Sequence, residues 1–162
     1  MQHSSRIKKL ERFIRILSLL KVPLLGLSGP RVVDLTSTKA VVQLPLKFLT
    51  KNHLGSMYFG ALTMGAELSI AVKLLARMRE ERLPINFIFK DFSCEFHKRA
   101  EEDVQFITDS VAEIDKLIEE ALRTGDRVNG TFEGYAIGVS HPENRLMSYR
   151  VTISIKKTPK RS

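Results

Sequence analysis

The sequence contains a single cysteine, Cys94, so no disulfide bond can form within the chain. This cysteine usage is typical of proteins in a reducing compartment, and we expect a cytoplasmic protein. A run of 18 or more uncharged apolar residues is also missing, because charged side chains such as Arg12 and Arg15 interrupt the most hydrophobic N-terminal segment. We therefore expect no membrane-spanning helix. The N-terminus lacks a small-residue cleavage site behind a clean apolar stretch, so we expect no secretory signal either.

Sequence patterns that mark nucleic-acid binding are absent as well. The chain has no zinc-finger spacing, no aromatic RNA-binding signature and no basic stripe interleaved with aromatic residues. It also has no internal repeat and no low-complexity segment. We accordingly expect no nucleic-acid partner, no bound metal and no cofactor.

What the sequence does have is an excess of positive charge. Its 26 Lys and Arg residues against 18 Asp and Glu residues give a formal net charge of +8. Much of this excess lies near the two ends, at Arg6, Lys8, Lys9, Arg12 and Arg15 and at Lys156, Lys157, Lys160 and Arg161. Basic termini most often serve solubility, but the same charge attracts phosphate-bearing ligands and anionic lipid headgroups.

Length and element order together predict the fold class. A chain of 162 residues that is 43% hydrophobic can bury one core, so we assign residues 1–162 to a single domain. The predicted order is a helix, a strand, a long apolar helix, and then four strands with one inserted helix. This order predicts an α+β domain in which the long helix lies in a curved antiparallel sheet. Residues 1–22 form a basic amphipathic N-terminal helix in this assignment, and residues 31–157 form the core.

The N-terminal segments show two different periodicities. Residues 5–20 carry apolar side chains at helical spacing, and Pro23 stops the helix; these side chains are Ile7, Leu10, Ile14 and Leu17. Such a helix either packs on the domain or lies on a membrane surface, and the pattern fits both. Residues 31–46 are rich in Val and Thr and predict an extended segment that ends near Pro45.

The chain beyond Pro84 predicts strands. Ile85, Phe87 and Phe89 alternate, and Phe92, Cys94 and Phe96 then alternate in the opposite phase, which indicates a bulge near Lys90 and Asp91. Cys94 belongs to the apolar set and is interpreted as a small core residue. A short strand over residues 103–109 follows.

The C-terminal part predicts a helix and a hairpin. Ser110 and Glu113 have the spacing of a capping box, and Gly125 closes the helix that it opens. Residues 127–139 and 145–157 then predict two antiparallel strands. Three glycines, at positions 130, 134 and 138, share one face of the first strand and would let a helix approach the sheet closely.

The segment NHLGSMYFGALTMGAEL, residues 52–68, runs from a glycine-containing turn into a helix predicted over residues 57–79. On a helical wheel Ser69 lies opposite the apolar centre, and Glu67 falls at the margin, beside Gly60 and Thr63. Glu67 is either a boundary glutamate that reaches water or a carboxylate lining a partly desolvated groove. In a groove its pKa would rise, which suits a base or a nucleophile.

The order of residue types in this segment resembles the active-site segment of the hotdog-fold acyl-CoA thioesterases, in particular the branch like the phenylacetate-pathway enzymes. That family carries an Asn-containing loop, a histidine-glycine-glycine turn and a helical acid in fixed order. Asn52 matches the loop asparagine, Gly60 the second glycine, and Glu67 the helical acid. Tyr58 and Phe59 stand where the family carries the histidine and the first glycine. The stretch NHLG followed by GAL is similar to one uncharacterised hotdog subgroup.

The resemblance implies hydrolysis of a thioester. Glu67 would activate water or attack the carbonyl directly, while the amides of Phe59 and Gly60 would hold the oxyanion and Asn52 would position the water or the carboxylate. The substrate would be an acyl-CoA or an acyl carrier thioester, bound in a homodimer or tetramer with the site between subunits. Further substrate contacts would come from His53, Tyr58, Thr63, Lys98 and Arg99, with Arg150 and Lys156 as weaker candidates for the CoA phosphates.

Three alternatives remain open from the sequence. A hotdog protein could bind an acyl chain or lipid without turning it over, which suits the missing turn histidine and the basic N-terminus. A hydratase or dehydratase of the same fold would pair His53 with Glu67. Outside this fold, a small basic interaction module fits the charge.

Overall fold

The computed structural model describes residues 2–158, with side chains from residue 4 onward; Lys160 and Arg161 of the basic C-terminus lie outside this range. Its helices are α1 (Gln2–Lys21), α2 (Pro23–Ser28), α3 (Phe59–Glu80) and α4 (Val111–Thr124), with one turn of 3-10 helix over Phe48–Thr50. Its strands are β1 (Arg31–Leu35), β2 (Ala40–Leu44), β3 (Ile85–Phe96), β4 (Val104–Thr108), β5 (Arg127–Gly138) and β6 (Arg145–Lys157).

The six strands form one antiparallel sheet in the order β1-β2-β4-β5-β6-β3, and α3 packs across it. The buried side of β6 follows from alternation, since Met147, Tyr149, Val151, Ile153 and Ile155 are all buried; Leu146 and Ser154 of the other face are buried as well. A long central helix against such a sheet is the hotdog fold, and the predicted α+β class is confirmed.

Helix α3 is buried on two sides. One side carries Leu62, Ala66 and Ile70 into a core shared with the sheet and α4, and the other carries Leu68 and Val72 into a second cluster with α1, β1 and β2. By length and composition α3 could cross a membrane, with a mean hydropathy of 1.4 over its most apolar window. The protein itself covers most of that apolar surface, as it does for the core helix of a globular domain.

Contact between α3 and the sheet is close at one glycine. A Cβ atom at Gly65 would collide with the ring of Phe106, which is fully buried on β4. Gly65 therefore brings the α3 backbone onto the centre of the sheet, and this approach fixes how the start of the helix sits relative to the strands.

The N-terminal helix packs on the domain. Leu10 and Ile14 of α1 are buried against Val32, Leu35 and neighbouring residues, so the apolar face identified in the sequence belongs to the core. The outer face of α1 remains exposed to solvent.

The extended segment predicted over residues 31–46 is two strands rather than one. It folds into the hairpin β1–β2 because Thr36 closes a turn, accepting on its hydroxyl from the amide of Lys39 at 3.0 Å while its own amide donates to the Lys39 carbonyl. Such Ser/Thr turns compete with continued strand. The cue was the polar run at residues 36–39.

Edge strand β3 confirms one prediction and corrects another. Its pairing with β6 shifts register between Phe89 and Asp91, as the change of phase indicated. Cys94, however, is exposed and not a core residue. The alternation identified the correct strand, but the second half of this edge strand is left open to solvent.

Helix α4 begins and ends where predicted, yet its capping box does not form. Gly125 ends the helix with φ of 75°, a left-handed conformation that glycine adopts without strain. Ser110 occupies the N-cap position with φ −92° and ψ 22°, outside the extended conformation of a capping residue, and its hydroxyl makes no capping bond.

The glycine face of β5 makes room for two different neighbours. A Cβ atom at Gly130 would lie 2.8 Å from a methyl group of Leu117, so this glycine admits α4 as predicted. At Gly134 a Cβ would instead meet the ring of Tyr149 from the adjacent strand.

The buried hydroxyl of Tyr149 pairs with Ser69, and the helical-wheel prediction for this serine of α3 was wrong. Ser69, placed opposite the apolar centre, is fully buried, and its hydroxyl lies 2.7 Å from that of Tyr149. Tyr149 also donates to the carbonyl of Ile107 at 3.1 Å. The sheet covers this part of α3, and the buried Ser69 hydroxyl is satisfied by Tyr149 and by the Ala66 carbonyl at 2.7 Å.

Removal of this hydroxyl tests the contact. Tyr149→Phe is expected to lower the free energy of unfolding by about 0.5–1.5 kcal/mol, because it removes the hydrogen bond to the Ile107 carbonyl and the contact with Ser69, whose hydroxyl keeps its bond to the Ala66 carbonyl at 2.7 Å. Chemical denaturation measures the change. Tyr135→Phe, on a more exposed tyrosine of β5, is the matched control and should have little effect.

Candidate functional site

A tight loop delivers the chain to the start of α3. The amide of Met57 donates to the carbonyl of Ala100 at 2.7 Å, and the amide of Tyr58 donates to the carbonyl of Thr50 at 2.8 Å. The loop is thus tied both to the segment after β3 and to the turn before it. This bracing gives the start of α3 a defined position.

Asn52 holds that loop together from within. Its side-chain oxygen accepts from the amide of Leu54 at 2.9 Å, and its side-chain nitrogen donates to the hydroxyl of Ser56 at 3.0 Å. This is an Asx turn, a common use of asparagine before a glycine such as Gly55. The side chain predicted to position water or carboxylate is therefore engaged in loop structure.

Helix α3 begins with unpaired amides. The N-cap residue Tyr58 contributes no side-chain cap, and the first turn contains no acidic residue. Within residues 2–158, the N–H groups of Phe59 and Gly60 have no hydrogen-bond acceptor, whereas those of Ala61 and Leu62 donate to the Tyr58 carbonyl. Two free donors at the positive end of a helix form a site suited to a negatively charged oxygen.

Aromatic side chains cover this helix start. The rings of Tyr58 and Phe59 lie 4.7 Å apart, and a Cβ atom on Gly60 would lie 2.5 Å from the Tyr58 ring. Gly60 therefore leaves room for the tyrosine to lie over the first turn. Both rings are largely exposed, which leaves apolar surface beside the two free amides.

A pocket of about 630 Å³ opens at this place, and we call it the helix-start pocket. Its walls are the loop before α3, the first turn of α3, and the segment that follows β3; the lining residues are Asn52, His53, Ser56, Met57, Tyr58, Phe59, Leu62, Phe96, His97, Lys98, Arg99 and Ala100. No acidic side chain lines it. Apolar walls with two permanent cations and two histidines suit a ligand that is part apolar and part anionic.

Glu67 lies on the same side of α3 as Gly60. Seven residues of α-helix make almost two full turns, which places Glu67 about 10 Å further along the axis. Helical side chains lean toward the N-terminus of their helix, and for α3 that is the end with the two free amides.

The environment of Glu67 raises its pKa. The residue is half-buried, and among the described residues no side chain or amide donates a hydrogen bond to its carboxylate. Burial without a compensating partner disfavours the charged form, and the pKa is accordingly raised by desolvation. A half-buried carboxylate without a partner agrees with the groove alternative, and its place in a substrate groove stays a prediction.

The predicted site residues do not all meet in the pocket. Six of the nine line it, and Gly60 is adjacent through its amide, while Thr63 and Glu67 lie further along α3. The Thr63 hydroxyl donates to the carbonyl of Phe59 at 3.0 Å. Arg150 pairs with Glu133 at 2.8 Å, away from this pocket, and Lys156 does not line it.

The far wall of the pocket was not predicted from the sequence. His97 lines it beside Lys98, with its Nε2 atom 2.8 Å from the hydroxyl of Ser148, and Phe96 and Leu62 add apolar surface. The available cue was position alone, because His97 directly precedes the Lys98–Arg99 pair at the end of a predicted strand.

A second groove of about 640 Å³ has a different character. It runs over β3, β5 and β6, includes Cys94, and is lined by both acids and arginines, among them Glu133 paired with Arg150. It contains none of the nine predicted site residues, although Arg150, a weaker candidate for the CoA phosphates, lines it together with Ser110 at the start of α4. Within residues 2–158, His, Cys, Asp and Glu side chains form no cluster of three that could hold a metal ion.

Solved structures share this architecture. A protein of unknown function from Pseudomonas aeruginosa, named as a probable thioesterase, is 23% identical, with a TM-score of 0.72 over 91% of this chain and 95% of that one. A protein of unknown function from Chlorobaculum tepidum is 15% identical, with a TM-score of 0.77 over 96% and 97%. A mutant thioesterase from Pseudomonas aeruginosa is 11% identical, with a TM-score of 0.67 over 94% of each chain. At these identities the likeness establishes the fold.

Comparison of the sequence with known proteins identifies the family. No curated protein matches the chain. The model of the domain of unknown function DUF4442 matches residues 11–131, which includes α3, the helix-start pocket and most of the sheet. The chain therefore belongs to the DUF4442 family and has the hotdog fold.

Proposed function

We propose that the protein hydrolyses an acyl thioester at the start of α3. One observation carries the proposal: a half-buried, unpaired carboxylate with a raised pKa, Glu67, lies on the same side of one helix as two free N-terminal amides. A base and an oxyanion site are the two elements that acyl transfer to water needs. The thioesterase names of structural neighbours agree with this chemistry.

The proposed reaction balances with water alone. Glu67 takes a proton from water as its oxygen attacks the thioester carbonyl carbon, and the amides of Phe59 and Gly60 hold the negative charge that develops on the carbonyl oxygen. Collapse of this intermediate breaks the carbon–sulfur bond, and the departing thiolate receives the proton from Glu67. Direct attack by the carboxylate, through an anhydride that water then opens, uses the same residues.

The substrate class follows from the pocket. Leu62, Phe96 and the Tyr58–Phe59 pair offer apolar surface to an acyl chain, while Lys98 and Arg99 offer cations to a phosphorylated carrier. We propose an acyl-CoA or an acyl carrier thioester on this basis. Neither cation is locked in an ion pair within residues 2–158, so both can meet phosphate, although Lys98 also contacts Asn144.

A homodimer is part of the proposal. Among the residues that the structure describes, strand β3 pairs only with β6, which leaves the outer edge of its twelve residues without a partner strand there. Ile88, Phe89 and Phe96 expose apolar surface on this strand. Long exposed edges of this kind invite pairing with another strand, and a second copy of β3 supplies one.

Hydrolysis of a panel of acyl-CoA thioesters tests the proposal. We expect release of free CoA thiol, measured with a chromogenic thiol reagent, for at least one acyl class. Wild-type rates no higher than those of Glu67→Gln across the panel would contradict it. That result, together with tight binding of acyl-CoA, would support a non-catalytic acyl-binding protein, which the engagement of Asn52 in its own loop favours as second candidate.

The raised pKa of Glu67 has a consequence for stability. Because the folded state disfavours the ionised carboxylate, the carboxyl group stabilises the fold only at low pH, and that contribution is lost as pH rises through its folded pKa. Glu67→Gln is therefore expected to raise the melting temperature at neutral pH, with a difference that narrows in acid. Thermal unfolding followed by circular dichroism measures this; equal melting temperatures at every pH would contradict the desolvated placement.

A further inference from the structure

The exposed apolar side chains of this protein are concentrated near its N-terminus. The second half of α1, Val22, the helix α2 and the 3-10 turn expose eight of them, of which we call six the apolar tip: Leu20, Val22, Leu24, Leu27, Phe48 and Leu49. Phe48 is 91% exposed, Leu20 75% and Leu24 68%. A group of large apolar side chains left open to this degree marks a contact surface.

The three segments that carry the apolar tip are packed next to one another. A Cβ atom at Gly26 would lie 2.7 Å from the backbone of Leu19, so α2 folds tightly back on the end of α1. Gly29, which ends α2, lies beside the side chain of Lys47, directly before the 3-10 turn. Helix α2 also contacts that turn.

Positive charge surrounds the tip. Residues 1–51 contain ten of the 26 basic residues and two of the 18 acidic residues, so this segment alone carries a net charge of +8, equal to that of the whole chain. Lys8, Lys9, Arg12 and Arg15 are exposed on the outer face of α1, and we call them the cationic face. Within residues 2–158 none of the four forms an ion pair, whereas Arg6 on the same helix pairs with Glu80 at 2.8 Å.

We propose that this surface docks the protein on an anionic lipid bilayer, with the apolar tip in the headgroup region and the cationic face against the lipid phosphates. Apolar side chains at the interface and cations beside them are the two contributions that hold a peripheral protein on such a membrane. A nucleic acid would use the cations but has no use for the leucines. The buried apolar face of α1, with Leu10 and Ile14, takes no part, because it belongs to the core.

Docking would bring the helix-start pocket to the membrane. The 3-10 turn ends at Thr50, whose carbonyl accepts from the amide of Tyr58, and the pocket loop begins at Asn52. An acyl chain leaving or entering the bilayer would have a short path to the apolar wall of the pocket. Docking requires only the apolar tip and the cationic face, and it does not depend on hydrolysis.

Co-sedimentation of the full chain with vesicles tests it. We expect the protein to pellet with vesicles of phosphatidylcholine and phosphatidylserine, to pellet much less with phosphatidylcholine alone, and to be released by added salt. Leu24→Ser should weaken binding on the order of tenfold, and Phe48→Ser similarly. Val139→Ser is the matched control, because Val139 is an exposed apolar side chain directly after β5 and outside the apolar tip; this variant should bind as wild type does.

A second pair of variants isolates the charge. Arg12→Gln with Arg15→Gln should weaken binding to mixed vesicles by roughly tenfold or more, whereas Lys116→Gln with Arg123→Gln removes the same charge from α4 and should have little effect. Circular dichroism confirms that each variant is folded.

Several outcomes would overturn the proposal. The first is that the wild-type protein stays in the supernatant with both kinds of vesicle. The second is that Lys116→Gln with Arg123→Gln weakens binding as much as Arg12→Gln with Arg15→Gln does. A lower molar mass of Leu24→Ser than of wild type, measured by light scattering, would mean that a second copy covers the tip. Nucleic-acid binding that the arginine pair abolishes and Leu24→Ser leaves unchanged would assign the cationic face to that polymer instead.

Discussion

Replacement of Glu67 by glutamine is expected to lower kcat/KM for thioester hydrolysis by about 10²–10⁴-fold, the usual contribution of a positioned base. Glutamine keeps the size of the side chain and its place on α3 but cannot accept a proton from water. The substrate KM should change little, because the helix-start pocket is untouched. Steady-state release of thiol from the best acyl-CoA of the panel measures the effect.

The controls separate chemistry from stability. Glu120→Gln, on an exposed part of α4, removes a carboxylate of the same type and should leave the rate unchanged. Glu67→Gln is expected to melt at a higher temperature than wild type, so unfolding would not explain a lower rate of this variant. In wild type, kcat/KM should fall as pH drops through the raised pKa of Glu67, at a higher pH than an ordinary glutamate would give. A rate that Glu67→Gln retains would remove the base from the mechanism.

Replacement of Phe59 by proline is expected to lower kcat by about 10²–10³-fold, the usual cost of losing one oxyanion donor. Proline has no N–H, and it is well tolerated at the first residue of a helix, where the amide has no helical partner. Tyr58 already has φ −63° and ψ 138°, the extended conformation that a residue before proline adopts. The substitution therefore removes one donor while the helix start keeps its shape.

Phe59→Ala is the matched control for this substitution. It removes the same ring but keeps the N–H, so it reports what the aromatic surface contributes to binding. We expect Phe59→Ala to raise KM more than it lowers kcat, and Phe59→Pro to lower kcat well below that of the alanine variant. Equal kcat values for the two variants would show that this amide does not stabilise the reacting oxygen.

Glu67 and the amides at the start of α3 act together in this mechanism. Base and oxyanion donors act on the same intermediate, so the effects of Glu67→Gln and Phe59→Pro should combine to less than their product.

The elements with strong periodicity were predictable from sequence. The long helix α3, the bulge of β3 and the β5–β6 hairpin follow from apolar spacing and turn residues, because these local patterns agree with the tertiary packing. The split of residues 31–46 was missed because Val-rich chain on both sides masked a short Thr-centred turn. The capping box at Ser110 was wrong because this residue has φ −92° and ψ 22°, outside the extended conformation of a capping residue, and its hydroxyl makes no capping bond.

The candidate site was likewise predictable from sequence only in part. The resemblance brought Asn52, Phe59, Gly60 and Glu67 together as a hypothesis, and the fold places the loop, the helix start and Lys98–Arg99 around one pocket. His97 was not singled out, because the cue in the sequence was only its place before Lys98–Arg99, and its position in the pocket depends on how β3 returns beside the start of α3. The role of each residue in catalysis stays a prediction.

Sequence alone determined the α+β class, the long apolar helix and the excess of positive charge, because each depends on residue type and spacing along the chain. Only the tertiary structure decided which of those side chains lose water. Burial is set by what packs opposite a residue, so Ser69 enters the core with a partner from β6 while Cys94 stays exposed on an open edge. For the same reason Glu67 loses solvent without gaining a hydrogen bond, and the leucines of the apolar tip remain uncovered beside the cations of α1.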